Sequence, residues 1–149
     1  MGSVFHFRFQ RLLELREREV ELWEKRLAHQ MLAVCTAEAA VQRLLAERAM
    51  LDAAWHAAVA TELRADAGET FQLCFQELAR RDQAAARVLE TVRKEEADCR
   101  AALATALGRY KALEKLRERL HVRHRQQLAR QEQAALDDGV MLRFVREAS

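Results

Sequence analysis

The sequence has no proline and only four glycines among its 149 residues. Proline breaks helices and an interior glycine costs about 1 kcal/mol, so a chain poor in both can be helical over most of its length. Aromatic residues are 6% of the chain, which is too few for a large globular core. No apolar run approaches the roughly 20 residues of a membrane-spanning helix, and Arg8 and Arg11 interrupt any signal-peptide core. We therefore expect a helical protein of the cytoplasm.

The sequence also lacks the usual elements of catalytic and metal sites. It has no glycine-rich phosphate loop and no Cys-x-x-Cys pair. Three widely spaced cysteines, Cys35, Cys74 and Cys99, do not predict a disulfide framework. His121 and His124 could lie on one side of a helix, but no third metal ligand accompanies them. We expect no enzymatic activity, no cofactor and no metal.

Strong helix formers dominate the chain, and one segment interrupts them. Gly68 can end a helix in the left-handed conformation, and Thr70 can cap the next one. These signals predict a first helix over about 5–64, a turn over about 65–69 and a second helix over about 70–146. The predicted fold is all-α: a single domain over 1–149 in which two long helices form an antiparallel coiled-coil hairpin.

Apolar residues recur at heptad spacing along both predicted helices, as in coiled coils. The predicted coiled-coil core consists of Leu13, Val20, Trp23, Leu27, Val34, Val41, Leu44, Leu51, Trp55, Leu78, Leu89, Val92, Cys99, Leu103, Tyr110, Leu113 and Leu120. Apolar residues meet in most layers if the numbers of facing residues sum to about 133. Val41 would then face Val92, and Leu44 would face Leu89.

That register also makes predictions about charged residues. Arg16 would face Arg117, and this repulsion would splay the open end of the hairpin or call for a third partner. Asp82 would have Arg48 one turn away as a plausible ion partner.

Charge is unevenly distributed, although the formal net charge is only +2. Such a small net charge argues against a dedicated nucleic-acid binder. Residues 109–130 hold eight Arg or Lys against two Glu, which gives +6. Residues 47–70 hold five acidic residues against two Arg, which gives −3. This asymmetry fits either an ordinary solvated surface or two different docking sites at opposite ends of the hairpin.

Three stretches, in this order, resemble proteins of the FliJ type. Residues 7–16, F-R-F-Q-R-L-L-E-L-R, are similar to the opening of that family. Residues 71–78, F-Q-L-C-F-Q-E-L, resemble its segment just after the hairpin, although Cys74 stands where an aromatic is usual. Residues 111–119, K-A-L-E-K-L-R-E-R, are similar to its basic second-helix segment. The resemblance covers nearly the whole chain.

The resemblance implies a stalk of the flagellar type III export apparatus. Its terminal end would enter the hexameric ring of the export ATPase, and its hairpin region would contact the cytoplasmic domain of the membrane export-gate protein. Such a stalk promotes assembly of the ATPase ring and couples ATP hydrolysis to proton-driven export. It is peripherally associated with the inner membrane and can also handle export chaperones. The residues expected to contact the ATPase are Arg8, Arg11, Arg16, Lys115, Arg117, Arg119 and Arg123. Those expected to contact the gate are Phe71, Phe75 and Leu78, of which Phe71 is expected to be the most accessible.

Other functions stay open at this point. The equivalent stalk of a virulence secretion system is the first alternative, and the flagellar-type opening argues against it. A coiled-coil scaffold without an ATPase partner is the second. An enzyme is the least favoured class, because no nucleophile, base and pocket occur together.

Overall fold

The computed structural model describes residues 4–61 and 64–149. It contains two helices, α1 (Gln10–Ala60) and α2 (Ala65–Ala148), and the described residues include no strand. The helices are 51 and 84 residues long, as the absence of proline allows. The fold is all-α, with two long helices packed against each other, as predicted.

Helix α1 begins at Gln10, several residues later than predicted. The backbone N–H of Gln10 donates to the carbonyl of Phe7 at 3.2 Å, and that of Leu13 donates to the carbonyl of Phe9 at 2.9 Å. Phe7 lies before the helix and is only 5% exposed. A non-helical start therefore lets this ring pack into the core.

Helix α2 already begins at Ala65, so residues 65–69 form its first turn and not the predicted connection. The N–H of Gly68 donates to the carbonyl of Arg64 at 3.1 Å. The Thr70 hydroxyl donates to the carbonyl of Asp66 at 3.0 Å, so it does not cap a helix start. One glycine costs about 1 kcal/mol, which the helix-forming residues around it can outweigh. The predicted end of the first helix falls partly on Glu62 and Leu63, which lie outside the described residues.

The chain divides into two compact units, each described by itself. We call Glu21–Ala104 the hairpin unit, and Met1–Val20 together with Thr105–Ser149 the terminal unit. Among the described residues, those buried in the hairpin unit are Val34, Ala37, Leu44 and Leu78, and those buried in the terminal unit are Phe7, Leu13, Val20 and Ala106. Every residue of the predicted coiled-coil core is buried or half-buried.

Ion pairs and one ring contact join α1 to α2 within the hairpin unit. The ion pairs join Glu38 to Arg93 at 3.1 Å, Glu47 to Arg81 at 3.0 Å, and Arg48 to Asp82 at 3.8 Å. The residue numbers in these pairs sum to 131, 128 and 130, so the helices are antiparallel. The predicted sum of 133 would place Leu78 opposite Trp55, but the Trp55 ring packs against Phe71, with centroids 5.4 Å apart and a sum of 126. This contact lies one heptad from the predicted one because the connection lies between Ala60 and Ala65 and not at residues 65–69.

Two further observations concern neighbours across the hairpin unit. Val41 and Leu89 line the same groove. The predicted ion pair between Arg48 and Asp82 is present, at 3.8 Å.

No helix in the described part of the chain has an apolar stretch long enough to span a bilayer.

Candidate partner-binding surfaces

A line of positive charge runs along α2 in the terminal unit. Lys111, Lys115, Arg119 and Arg123 are spaced four residues apart, so each lies one turn from the next on the same side of the helix. We call these four residues the basic stripe. All four are exposed, and none is within 4.0 Å of a carboxylate of any described residue. Like charges at this spacing destabilise a helix by about 0.2–0.5 kcal/mol per pair.

The other residues expected to contact the ATPase also fall in the terminal unit. Arg8, Arg11 and Arg117 are exposed, and the Arg8 guanidinium lies 5.7 Å from the centre of the Phe9 ring. Arg16 is half-buried and its Nη1 lies 3.0 Å from Glu19 Oε2. The predicted repulsion at Arg16 is therefore offset by an acidic neighbour on its own helix.

The structure thus brings all seven predicted ATPase-contact residues into one unit, with Arg16 the least available of them. Sequence reasoning left Lys111 out of that set. Its spacing of four residues from Lys115 was the signal that could have included it.

A groove beside the basic stripe is lined by aromatic, acidic and basic side chains, among them Lys111 and Lys115 of the stripe. The Phe5 ring lies 4.9 Å from the ring of His121 and 5.7 Å from that of His124. Phe5 and His121 line this groove, which also includes Tyr110 and Glu114. The nearby carboxylate of Glu114, together with desolvation and Glu17, raises the pKa of the Tyr110 phenol.

The two histidines therefore have an aromatic neighbour. In the part of the chain that the structure describes, no three His, Cys, Asp or Glu side chains could together hold a metal. The sequence did not predict that Phe5 packs against His121 or that Phe7 is buried. Phenylalanine recurs at every second position before the heptads begin, and this pattern was the available signal.

The residues expected to contact the gate lie at the start of α2 and are partly buried. Phe71 is half-buried and packs edge-on against Trp55, with ring centroids 5.4 Å apart. Phe75 is also half-buried, and Leu78 is only 6% exposed. Phe71 is therefore less accessible than we expected, and Leu78 presents little surface to a partner.

An exposed leucine accompanies these residues. Leu73 is 65% exposed, and it lines a groove with Leu51, Cys74 and Leu78. We call this groove, with its remaining lining residues Glu47, Thr70, Glu77 and Arg81, the hairpin groove. Leu73 was not predicted as a partner-binding residue, because it lies outside the heptad core positions. A leucine at a position expected to face solvent was the signal that could have identified it.

Ion pairs border the hairpin groove. Glu47 binds Arg81 at 3.0 Å across the two helices, and Glu77 binds Arg80 at 2.6 Å within α2. The hydrogen bond between Glu77 and Arg80 lowers the pKa of the carboxyl and raises that of the guanidinium. The groove thus combines an apolar floor with a charged rim, as protein-binding surfaces commonly do.

Comparison with known proteins identifies the family. The family model described as flagellar FliJ protein matches residues 5–149. No curated protein and no solved structure gives a significant match. The matched region includes the basic stripe and the hairpin groove and extends over nearly the whole chain. The chain therefore belongs to the FliJ family and is a component of the flagellar export apparatus.

Proposed function

We propose that this chain is the stalk that joins the hexameric export ATPase to the membrane export gate. The terminal unit binds inside the ATPase ring, and the hairpin unit binds the cytoplasmic domain of the gate protein. In this role the chain promotes ring assembly and couples ATP hydrolysis to export. It is then held at the inner membrane through its partners, without inserting into the bilayer.

The basic stripe is the observation that carries the ATPase half of this proposal. Its four cations repel one another along α2 and have no acidic partner among the described residues. A negatively charged partner relieves that repulsion and gains charge-assisted contacts. Acidic loops lining the pore of a hexameric ring have the chemistry that this helix face requires.

The hairpin groove supports the gate half. Leu73 offers exposed apolar surface in this groove, which Leu51 and Leu78 also line. A central apolar contact surrounded by charged residues is the usual arrangement of an energetically important interface site. In this proposal Leu73 contacts the gate domain and Leu78 lies beneath it in the groove, whereas Phe71 and Phe75 lie on another side of α2 and stabilise the packing of the helices.

Leu73→Asp tests the gate contact. We expect it to weaken binding of the gate domain by at least about tenfold, equivalent to 1.4 kcal/mol, because it places a charge in an apolar contact. The melting temperature should hardly change, since Leu73 is already 65% exposed. Binding can be measured by isothermal titration calorimetry with the purified cytoplasmic domain.

Two variants provide the controls. Val88→Asp makes a similar change at a side chain that is 56% exposed and outside the groove, so gate binding should be retained. Phe71→Ala should lower the melting temperature as well as the affinity, because it removes the contact with Trp55. Equal binding by the Leu73 and Val88 variants and by the unmodified chain would exclude the hairpin groove as the gate site.

The two alternatives predict different partners. A coiled-coil scaffold without an ATPase partner would bind neither protein. A virulence-system stalk would prefer the ATPase and gate of that system, whereas the family match favours the flagellar proteins. The handling of export chaperones stays a prediction.

A further inference from the structure

Gly108 lies in the interior of α2, where neither the backbone nor the packing of the described chain requires a glycine. Its backbone is part of a continuous helix and does not adopt the left-handed conformation that glycine tolerates. A methyl group on its Cα would have 4 Å of clear space around it beyond its own helical turn. Glycine also weakens a helix interior relative to alanine. The open space beside Gly108 is therefore available to a segment of another protein.

Gly108 opens onto a groove that runs beside the basic stripe. The residues lining this groove are Gly108, Ala112, Leu116, Lys111, Lys115 and Arg119. Gly108 and Ala112 are exposed. They lie about 200° and 240° around the helix from Ala106, which is buried. The groove is thus on the side of α2 that faces away from the core, and we call it the glycine groove.

The shape of the glycine groove favours close approach of a second main chain. Side chains spaced four residues apart form ridges on a helix, and the shallower rows between the ridges form grooves that receive a partner. The basic stripe is such a ridge. Gly108 and Ala112 lie in the row beside it, each three residues before a lysine of the stripe. Because both are small, a partner's main chain can lie against the helix there and still be within reach of the cations.

The charges around the glycine groove identify the kind of segment that fits it. Arg109 follows Gly108 and is exposed, as are the three cations of the basic stripe that line the groove. No carboxylate of a described residue lies within 4.0 Å of those cations. Glu114 and Glu118 line the other groove beside the stripe, with Phe5. An acidic segment in the glycine groove would accept charge-assisted hydrogen bonds from several cations at once.

We propose that the glycine groove holds the main chain of an acidic segment of the export ATPase, with Gly108 at the point of closest approach. This inference rests on the proposed function and deepens it, because it identifies the side of the basic stripe on which the ATPase segment lies. The cations attract the segment, and the groove determines how closely it packs. A bulkier residue at position 108 would leave the attraction in place but hold the carboxylates further from the stripe.

Gly108→Leu and Gly108→Ala test the close approach. Both residues are better helix formers than glycine and have open space, so the melting temperature should rise by about 2–4 °C. Leucine should nevertheless weaken binding of the purified export ATPase at least about tenfold, because it holds the segment away from the helix. Alanine should have a smaller effect. Isothermal titration calorimetry with the full chain measures the affinity, and circular dichroism measures the melting temperature.

Gly139 provides the matched control. It also lies within α2 and has the same open surroundings as Gly108. Asp137 and Asp138 precede it, and their charges would repel an acidic segment. Gly139→Leu should therefore raise the melting temperature in the same way and leave the affinity for the ATPase unchanged.

The outcomes separate the glycine groove from the stalk function. Equal affinity of the Gly108→Leu chain and the unmodified chain overturns the groove, and the stalk function stands if Arg119→Glu with Arg123→Glu still loses binding in the same assay. Equal losses from Gly108→Leu and Gly139→Leu also overturn the groove, because the effect is then not specific to it. Absence of ATPase binding by the unmodified chain overturns both.

Discussion

Leu44→Ala is expected to lower the free energy of unfolding by about 2–4 kcal/mol, which is the usual loss for a buried leucine. Leu44 is only 7% exposed and packs in the narrow core of the hairpin unit. The change removes apolar contact area and leaves a cavity that the surrounding side chains fill only partly. Thermal or urea unfolding followed by helix circular dichroism measures the effect.

The neighbouring residue provides a matched control. Leu45 is 53% exposed, so Leu45→Ala makes the same chemical change about 100° further around α1, at a position facing solvent. We expect that variant to lie within about 0.5 kcal/mol of the unmodified chain, as surface substitutions usually do. Equal losses for the two variants would show that burial at position 44 contributes nothing specific to stability.

Reversal of two charges in the basic stripe is expected to abolish stimulation of the export ATPase. Arg119→Glu with Arg123→Glu replaces two exposed cations by anions and leaves only Lys111 and Lys115 in the stripe. Repulsion from acidic pore loops then replaces attraction, so affinity falls and its salt dependence weakens. The measurement is the ATP hydrolysis rate of the ATPase with increasing amounts of each chain.

The free variant should remain folded. Arginine and glutamate are both good helix formers, and the reversal replaces the repulsion between positions 115 and 119 by an attraction while positions 119 and 123 still carry like charges. Its helix content should be unchanged, and its melting temperature equal or slightly higher. Any loss of stimulation would then reflect binding and not unfolding.

Arg87→Glu with Lys94→Glu is the control for total charge. Both side chains are exposed in the hairpin unit, and the change in net charge is the same. This variant should stimulate the ATPase normally, and stimulation by the unmodified chain should fade as salt approaches about 0.5 M, because screening strengthens. Full stimulation by the Arg119 and Arg123 variant at low salt would remove the basic stripe from the ATPase contact.

The fold class could be predicted because it depends on properties of the whole chain. Freedom from proline and the sustained heptads allow few alternatives to two long helices. The register is harder, because a slip of one heptad still pairs apolar side chains. It was predicted by matching the apolar positions of the two helices, and the break at Gly68 that agreed with it lies inside α2 in the structure.

The candidate surfaces were predictable to different degrees. The basic stripe follows from a run of charges that is visible in the sequence. The burial of Phe71 against Trp55 and the pairing of Arg16 with Glu19 depend on side-chain packing and rotamers, which heptad positions do not determine. Leu73 was not predicted as a binding residue because the heptad pattern identifies core positions and does not indicate which apolar residues between them bind a partner.

Mapping lysine contacts in the complex with the export ATPase tests the stalk proposal most directly. The chain has four lysines, Lys25, Lys94, Lys111 and Lys115, and all are exposed. Two lie in the hairpin unit and two in the basic stripe of the terminal unit, so each pair serves as a control for the other. An amine-reactive cross-linker followed by mass spectrometry should join Lys111 and Lys115 to the ATPase and leave Lys25 and Lys94 unlinked to it. Cross-links formed mainly through Lys25 and Lys94 would contradict the proposal that the terminal unit enters the ATPase ring.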